Sequence, residues 1–490
     1  MSISKMFGLS RFKNTTIIVL ALAIFIGINF ALSYVSFRLD FSQGRRYTLS
    51  QSTKKILAGL KKNLVITFYA SSTIPTRLIP LKQEVIDLAK EYVGDSKNVS
   101  FSTVDPETNS QALTNAKQNG LPELQFSQLD QNKYALSNAY FGMVLEYNNQ
   151  EETIPQVTAI DNLEYNMTAA IYKMTKTSLP KVSVFGMPES SDPQNDNLAS
   201  FKNLLNQQFT LSFDDTVNGK ASTIIVIDDN LKEYTDTEIK SLEDYLQKGG
   251  KAIFFVDGEW VDSSLSAVPP RHNLFNFFKK YGVTLNQNLV LSADSEMVNF
   301  GNGQVNFLVP YPFWLKTDNF NNKYDYFQNI SSLTFPWTST LSLGKVSNVT
   351  SDVIVLSTKN SWLQTKNFTL NPQSITQPSP KDLGVRDIAA LVKIKGGGEF
   401  VLIPSSKFIQ EQYLSQSSSN LDFVLNILDD FASGGALSGI STHQVTLYQL
   451  PALPDSEKEL FKYANILFLP ILLAIFGAIR IIRYGKENYG

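Results

Sequence analysis

Two long apolar runs frame the chain. Residues 15–35 read TTIIVLALAIFIGINFALSYV, with Asn29 the one strongly polar interruption, and residues 464–482 read ANILFLPILLAIFGAIRII. A helix of about 20 such residues crosses a hydrocarbon core of roughly 30 Å. Each run is therefore expected to be a transmembrane helix, over 14–36 and 461–482. Lys5, Arg11 and Lys13 precede the first run, and Arg483 and Lys486 follow the second. Basic flanks stay cytoplasmic, so the expected arrangement is an inner-membrane protein with both termini inside and the bulk of the chain on the other side. The rival for the first run is a cleavable signal peptide, whose apolar region is shorter and ends at a small-residue site. The rival for the second is a buried C-terminal helix.

Between the runs the pattern switches repeatedly between helical and strand periods. In RRYTLSQSTKKIL, Thr48 or Ser50 can cap a helix on which Leu49, Thr53, Ile56, Leu57 and Leu60 recur at helical spacing. This segment, 37–62, is expected to be amphipathic and juxtamembrane, resting on headgroups or on a partner, or else simply to open the next domain. Strands at 64–69, 99–104, 139–147 and 152–157 alternate with helices at 77–92, 112–118 and 162–175, with Asn148-Asn149 as the hairpin turn. That order predicts a thioredoxin-like α/β domain over 63–178. Ser71-Ser72-Thr73-Ile74 stands where a redox C-x-x-C would be, which excludes that chemistry.

From residue 179 to 432 continuously apolar strands (181–186, 222–229, 252–258) alternate with helices (198–208, 235–248, 272–281), predicting a parallel, doubly wound sheet. Thr235 and Glu238 form a capping-box signature, and Gly249-Gly250 a left-handed helix end. Residues 290–350, rich in Asn, Phe, Pro and Tyr, read as an insertion or a β-rich excursion. A strand at 352–358, a hairpin over 391–406 turning at Gly396 to Gly398, and a helix at 421–431 follow. Residues 433–460 read as a linker, and 483–490 as a short tail.

Composition narrows the chemistry. The chain is 43% hydrophobic and 18% charged, an ordinary globular balance, and its net charge of −2 offers no basic face for nucleic acid. It has no cysteine, so disulfides, thiolate metal sites and Cys nucleophiles are excluded, and only two histidines, His272 and His443. No phosphate-binding G-x-x-x-x-G-K-[ST] loop occurs, and no cofactor or metal is assigned. Asp228, Asp229 and Asp257 fall at expected carboxyl ends of adjacent parallel strands, where open α/β sheets bind ligands. Such carboxylates can hold a hard cation, or merely cap turns. Tyr311, Phe313, Trp314, Phe335 and Trp337 lie in the irregular stretch. Of these, Trp314 and Trp337 are candidates for stacking on a sugar or a partner, or for pinning a loop to its core.

Several words run in order along nearly the whole chain: RRYTLSQSTKKIL (45–57), VDPETN (104–109), KVSVFG (181–186), STIIVIDD (222–229), EIKSLEDYLQKGGKAIFFVDG (238–258), YPFWLK (311–316), LTFPWTSTL (333–341), VLIPSSKFI (401–409) and SNLDFVLNILDDFA (419–432). In that succession the chain resembles the GldG-like auxiliary components of gliding-motility-type ABC transporters, within the wider bacterial ABC-transporter auxiliary family. The resemblance implies a non-catalytic, membrane-anchored subunit beside an ABC permease and a separate ATPase. Its body would bind substrate, an envelope or carbohydrate component, or the permease. The resemblance also implies a central domain similar to class I glutamine amidotransferases, without their Cys nucleophile. Arg45, Arg46, Tyr47, Thr48, Leu49 and Ser50 are the expected permease contact. The alternatives are a carboxylate-dependent hydrolase and a structural envelope scaffold.

Overall fold

The computed structural model describes residues 48–440, apart from 131–132, 158–159, 161, 301–307, 329, 415–418 and 438–439, and short helical pieces between 458 and 478. The body is mixed α/β, built on two main sheets.

The first sheet has four strands, β1 (Leu64–Ala70), β2 (Val99–Val104), β3 (Phe141–Tyr147) and β4 (Gln150–Ile154), in the order β2-β1-β3-β4. β1 pairs parallel with β2 and antiparallel with β3, and β3 and β4 form a hairpin. Asn148 and Asn149 both adopt positive φ in that turn, the geometry Asn tolerates best after Gly. Helices α1 (Gln51–Ala58), α2 (Ile79–Asp95) and α3 (Leu163–Thr175) cover one face. Leu57, Val85, Tyr92, Met167 and Ile171 pack there on Leu64, Ile66, Phe68, Met143 and Leu145.

The second sheet has seven strands: β5 (Lys181–Phe185), β6 (Thr210–Phe213), β7 (Thr223–Ile227), β8 (Lys251–Phe255), β9 (Val349–Leu356), β10 (Asp387–Ile394) and β11 (Glu399–Ile403). The order is β9-β10-β11-β8-β7-β5-β6. β6, β5, β7, β8 and β11 are mutually parallel, while β10 and β9 close the sheet antiparallel. Side chains alternate between two buried faces, which is why these strands read as unbroken apolar runs. Ile225, Ile227, Ile253, Phe255, Val401 and Ile403 meet helix α5 (Asn420–Leu428) on one side. Ile224, Val226, Ala252, Phe254, Phe400 and Leu402 meet helix α4 (Asp236–Gln247) and the helix Phe275–Lys280 on the other. The Thr235–Glu238 capping box is present in both directions, and Gly249 takes φ +90° just past the helix end.

Between β8 and β9 the alternation of strand and helix gives way to small antiparallel sheets, among them Ser295–Asn299, Leu308–Thr317 and Leu333–Pro336. In Leu308–Thr317 every second residue from Tyr311 is buried, so the aromatic run is a strand of period two.

The expectation of a transmembrane helix at each end, and the inner-membrane placement drawn from it, is corrected. Among the described residues no helix is long and apolar enough to cross a membrane. The longest, α2, has 17 residues and carries Lys82, Glu84, Asp87, Lys90, Glu91 and Asp95 along it, where a span needs about 20 apolar positions. Residues 14–36 lie outside the described residues, and 461–482 is described only as short helical pieces.

Candidate functional site

Register decides what meets at the carboxyl end of the large sheet. Ile227 pairs with Phe255, and Phe255 with Ile403. The residues just beyond these three strands, Asp228, Asp257 and the run Ser405-Ser406-Lys407, are thereby brought together. The backbone N–H of Asp228 still donates along the ladder to Phe255 O, at 3.0 Å. Asp228 and Asp257 are 2% and 1% exposed.

Asp257 is fully used by the fold. Its carboxylate accepts from Ser406 N at 3.0 Å and from Ser406 Oγ, tying the end of β8 to the end of β11. Its carbonyl accepts from His272 Nε2 at 2.7 Å, while His272 Nδ1 accepts from Leu274 N at 3.2 Å. A ring nitrogen that accepts from a backbone N–H cannot itself carry a proton, so His272 is held as the neutral Nε2–H tautomer. Burial pushes its pKa down in the same sense, against the pull of Asp257. With both nitrogens committed, His272 is a brace and has no free nitrogen to act as a base.

Asp228 and Lys407 are in the opposite condition. Asp228 Oδ2 and Lys407 Nζ are both buried and both without a hydrogen-bond partner. Burial pushes the Asp228 carboxyl up to about 7, reinforced by the neighbouring Asp257 charge and opposed by the backbone N–H of Asn230. Burial likewise pushes Lys407 down, against the attraction of Asp257, Asp228 and Asp262. The Lys407 ammonium lies 3.6 Å from the centroid of the Trp260 ring and 5.9 Å from that of Trp337, a cation–π contact in place of a hydrogen bond.

The aromatic residues of the insertion complete this corner. Trp337 stands edge-on to Trp314 at 5.7 Å and to Tyr413 at 5.3 Å between centroids. Trp337 is 6% exposed, has φ +45°, and donates from Nε1 to Tyr311 Oη at 3.3 Å. It therefore pins its loop to the core. Trp314 is half-buried, and its Nε1 has no partner.

The remaining candidates separate from this group. Asp229 is half-buried, raised in pKa by burial, and accepts from Leu231 N in its own turn. Arg45, Arg46 and Tyr47 lie outside the described residues. Thr48 is exposed, Leu49 is buried in the first sheet's core, and Ser50 caps α1. The Ser50 N–H also donates to Glu164 Oε1 at 2.8 Å, so Leu49 and Ser50 face inward. Among the described residues no group of three or more His, Asp or Glu side chains is placed to hold a metal ion.

Sequence reasoning missed Lys407, Trp260, Ser406 and Tyr413. The available signal was a lysine set in VLIPSSKFI, one charge in an apolar run just past a strand parallel to those ending at Asp228 and Asp257. Beside the cluster, where β6 and β7 leave β5 in opposite directions, an open cavity of about 310 Å3 is lined by Gly186, Met187, Asp214, Leu231 and Lys232. Gly186 takes φ +97°, and a Cβ there would stand 2.6 Å from Ile227 O and Tyr234 Oη. Glycine lets the chain turn away over the sheet edge at this switch point.

Comparison with known proteins gives a relative in Borreliella burgdorferi, described only as uncharacterized. It is 24% identical over 497 residues, covering 93% of this chain and 95% of that one. Among solved structures, the mmIFT52 N-terminal domain is 15% identical with TM-score 0.37, covering 52% of this chain and 98% of its own. A ThuA-like protein from Bacteroides uniformis is 14% identical with TM-score 0.30, covering 54% and 97%. Structural likeness at that level carries no argument. A domain of unknown function matches residues 43–146. The profile described as ABC-type uncharacterized transport system matches residues 174–427, more than half of the chain, and the protein belongs to that family.

Proposed function

We propose that the chain is a non-catalytic auxiliary subunit of an ABC transport system, working beside a permease and a separate ATPase. In this reading the carboxyl end of its large sheet receives the transported substance or a component associated with it. The observation that carries the binding role is the pair of buried ionisable groups, Asp228 and Lys407, each with an atom left without a hydrogen bond among strand ends. A charge hidden from water without a partner is costly to any fold, and a bound group that supplies the partner removes that cost.

Catalysis has less support. Of the two carboxylates only Asp228 keeps a free oxygen, since Asp257 is satisfied by Ser406. A glycosidase needs two carboxyl groups about 5–9.5 Å apart across a cleft, both able to reach substrate. His272 is committed at both nitrogens, and the chain has no cysteine.

The finer placement, with the gliding-motility-type group, rests on the ordered sequence words alone. Within it, Arg45, Arg46 and Tyr47 are the proposed permease contact, because Leu49 and Ser50 are spent on the protein's own core. The test is affinity purification of the tagged full-length chain expressed with an ABC permease and ATPase from the same organism. Both should co-purify, and replacing Arg45, Arg46 and Tyr47 with Ala should lower their yield. A chain that purifies alone and leaves the transporter's ATP hydrolysis unchanged would sink the subunit reading.

A further inference from the structure

Three buried polar atoms near the carboxyl end of the large sheet have no hydrogen-bond partner: Asp228 Oδ2, Lys407 Nζ and Trp314 Nε1. Each orphaned group weakens the fold, and a charged one weakens it more. Lys407 lies 5.9 Å from the Trp337 ring and Trp314 5.7 Å from the same ring, so the unpartnered atoms are near neighbours, whereas an equally buried Glu164 accepts from Ser50 N and Thr53 Oγ1.

The corner has a floor and a rim. Asp228 and Lys407 form the floor, 2% and 4% exposed. Trp260, Trp314 and Tyr413 are half-buried around it, and the rings of Trp314 and Tyr413 stand 6.0 Å apart, edge to face. A rim of aromatic faces over a few convergent polar groups is how small-molecule sites are generally built.

We propose that this corner binds a saccharide unit, one hydroxyl of which bridges Asp228 Oδ2 and Lys407 Nζ while its ring lies against Trp314 and Tyr413. The proposal rests on the reading of the chain as a ligand-receiving auxiliary subunit, and names the class of ligand. A hydroxyl both donates and accepts, so a single group satisfies an acceptor and a donor that do not reach each other. A second hydroxyl on the same ring accepts from Trp314 Nε1, which can only donate. The carbon-bound hydrogens of a sugar face suit the rim rings. A zwitterion is the alternative partner for these two groups, and a glycine control distinguishes it from a saccharide.

The chain's four tryptophans are Trp260, Trp314, Trp337 and Trp362, and three belong to this corner, so intrinsic emission reports it directly. The full-length protein is titrated with glucose, galactose, mannose and N-acetylglucosamine, with maltose, lactose and chitobiose, and with glycine as a zwitterionic control. A saturable emission change with at least one saccharide is expected. Lys407→Met and Trp314→Phe should each weaken it roughly tenfold or more, the worth of one hydrogen bond to a polar or charged group. Trp314→Phe keeps a ring in place, and an unchanged circular dichroism spectrum establishes that Lys407→Met is folded. No saturable response to any saccharide, a response indifferent to both substitutions, or a response to glycine alone would overturn the proposal. Co-purification with permease and ATPase reads the subunit role separately. If it persists while saccharides fail, only the ligand assignment falls; if it fails while saccharides bind, only the subunit role falls.

Discussion

Glu164 in α3 and Asp228 beyond β7 are hidden from solvent to the same degree, at 1% and 2% exposure, but their surroundings differ in kind. Glu164 Oε1 accepts from Ser50 N at 2.8 Å and Thr53 Oγ1 at 2.7 Å. Around it Thr53, Thr168 and Tyr92 hydrogen-bond one another, and Tyr92 Oη also donates to the Glu164 carbonyl. Through its carboxylate Glu164 joins α3 to Ser50 and α1, and through its carbonyl to α2. Asp228 has a buried oxygen with no partner and an unbonded ammonium among its neighbours. A satisfied buried network fixes one arrangement of the chain, and an unsatisfied one lowers stability where a ligand later restores it. The first cluster is structural, and the second is the one we propose to be receptive.

The largest effect is expected at the satisfied cluster. Glu164→Ala strands the Ser50 N–H, removes the acceptor of the Thr53 hydroxyl and leaves a cavity in the core, and should cost about 3 kcal/mol or more. Thermal unfolding should show this at every pH where the wild type is folded. If the loss is under about 1 kcal/mol, the network is dispensable and the contrast fails.

Asp228→Asn should act in the opposite direction. The folded-state pKa of Asp228, about 7, lies above its ordinary value of 3.8. The folded state therefore holds a proton that the unfolded chain has released. Stability falls as pH rises from about 4 to about 7, and stays lower above that range. Asn carries no such penalty, so the variant should gain on the order of 2–4 kcal/mol at pH 8 and nothing near pH 4. A pH-independent difference between variant and wild type would remove the buried-acid account.

Thr235→Ala sets the small end of the scale, since it touches neither cluster. Losing one N-cap, and with it the capping box to Glu238, should cost about 1 kcal/mol and leave both the pH dependence and the saccharide response intact.

Local features were legible in the sequence. Thr235 and Glu238 announced α4, Gly249 its end, and Asn148-Asn149 the β3–β4 turn, because each depends on residues within one or two turns of chain. Asp228 and Asp257 were placed at strand ends because continuous apolar runs fix where parallel strands stop. What stayed hidden depends on register and on distant approach. Lys407 joins Asp228 only because β11 inserts beside β8, a pairing between residues about 150 positions apart that no local pattern encodes. The triplet Gly396 to Gly398 read as a turn, yet Gly398 has a second reason to lack a side chain. A Cβ there would fall 1.7 Å from Gly250 O, where the hairpin meets the end of α4. The terminal runs show the converse error. Apolar length alone predicted two spans, and no described helix meets the requirement.

The claim that Asp228 and Lys407 serve a ligand, and do not hold the fold together, is tested most directly by Lys407→Met, which keeps a flexible side chain over Trp260. Urea unfolding at neutral pH, followed by tryptophan emission, compares it with the wild type without ligand. An account in which Lys407 makes no hydrogen bond predicts stability within about 1 kcal/mol of wild type, or above it, together with loss of the saccharide response. A loss of about 3–5 kcal/mol is the signature of a broken buried ion pair. That result would contradict the account and make the strand-end cluster as structural as Glu164.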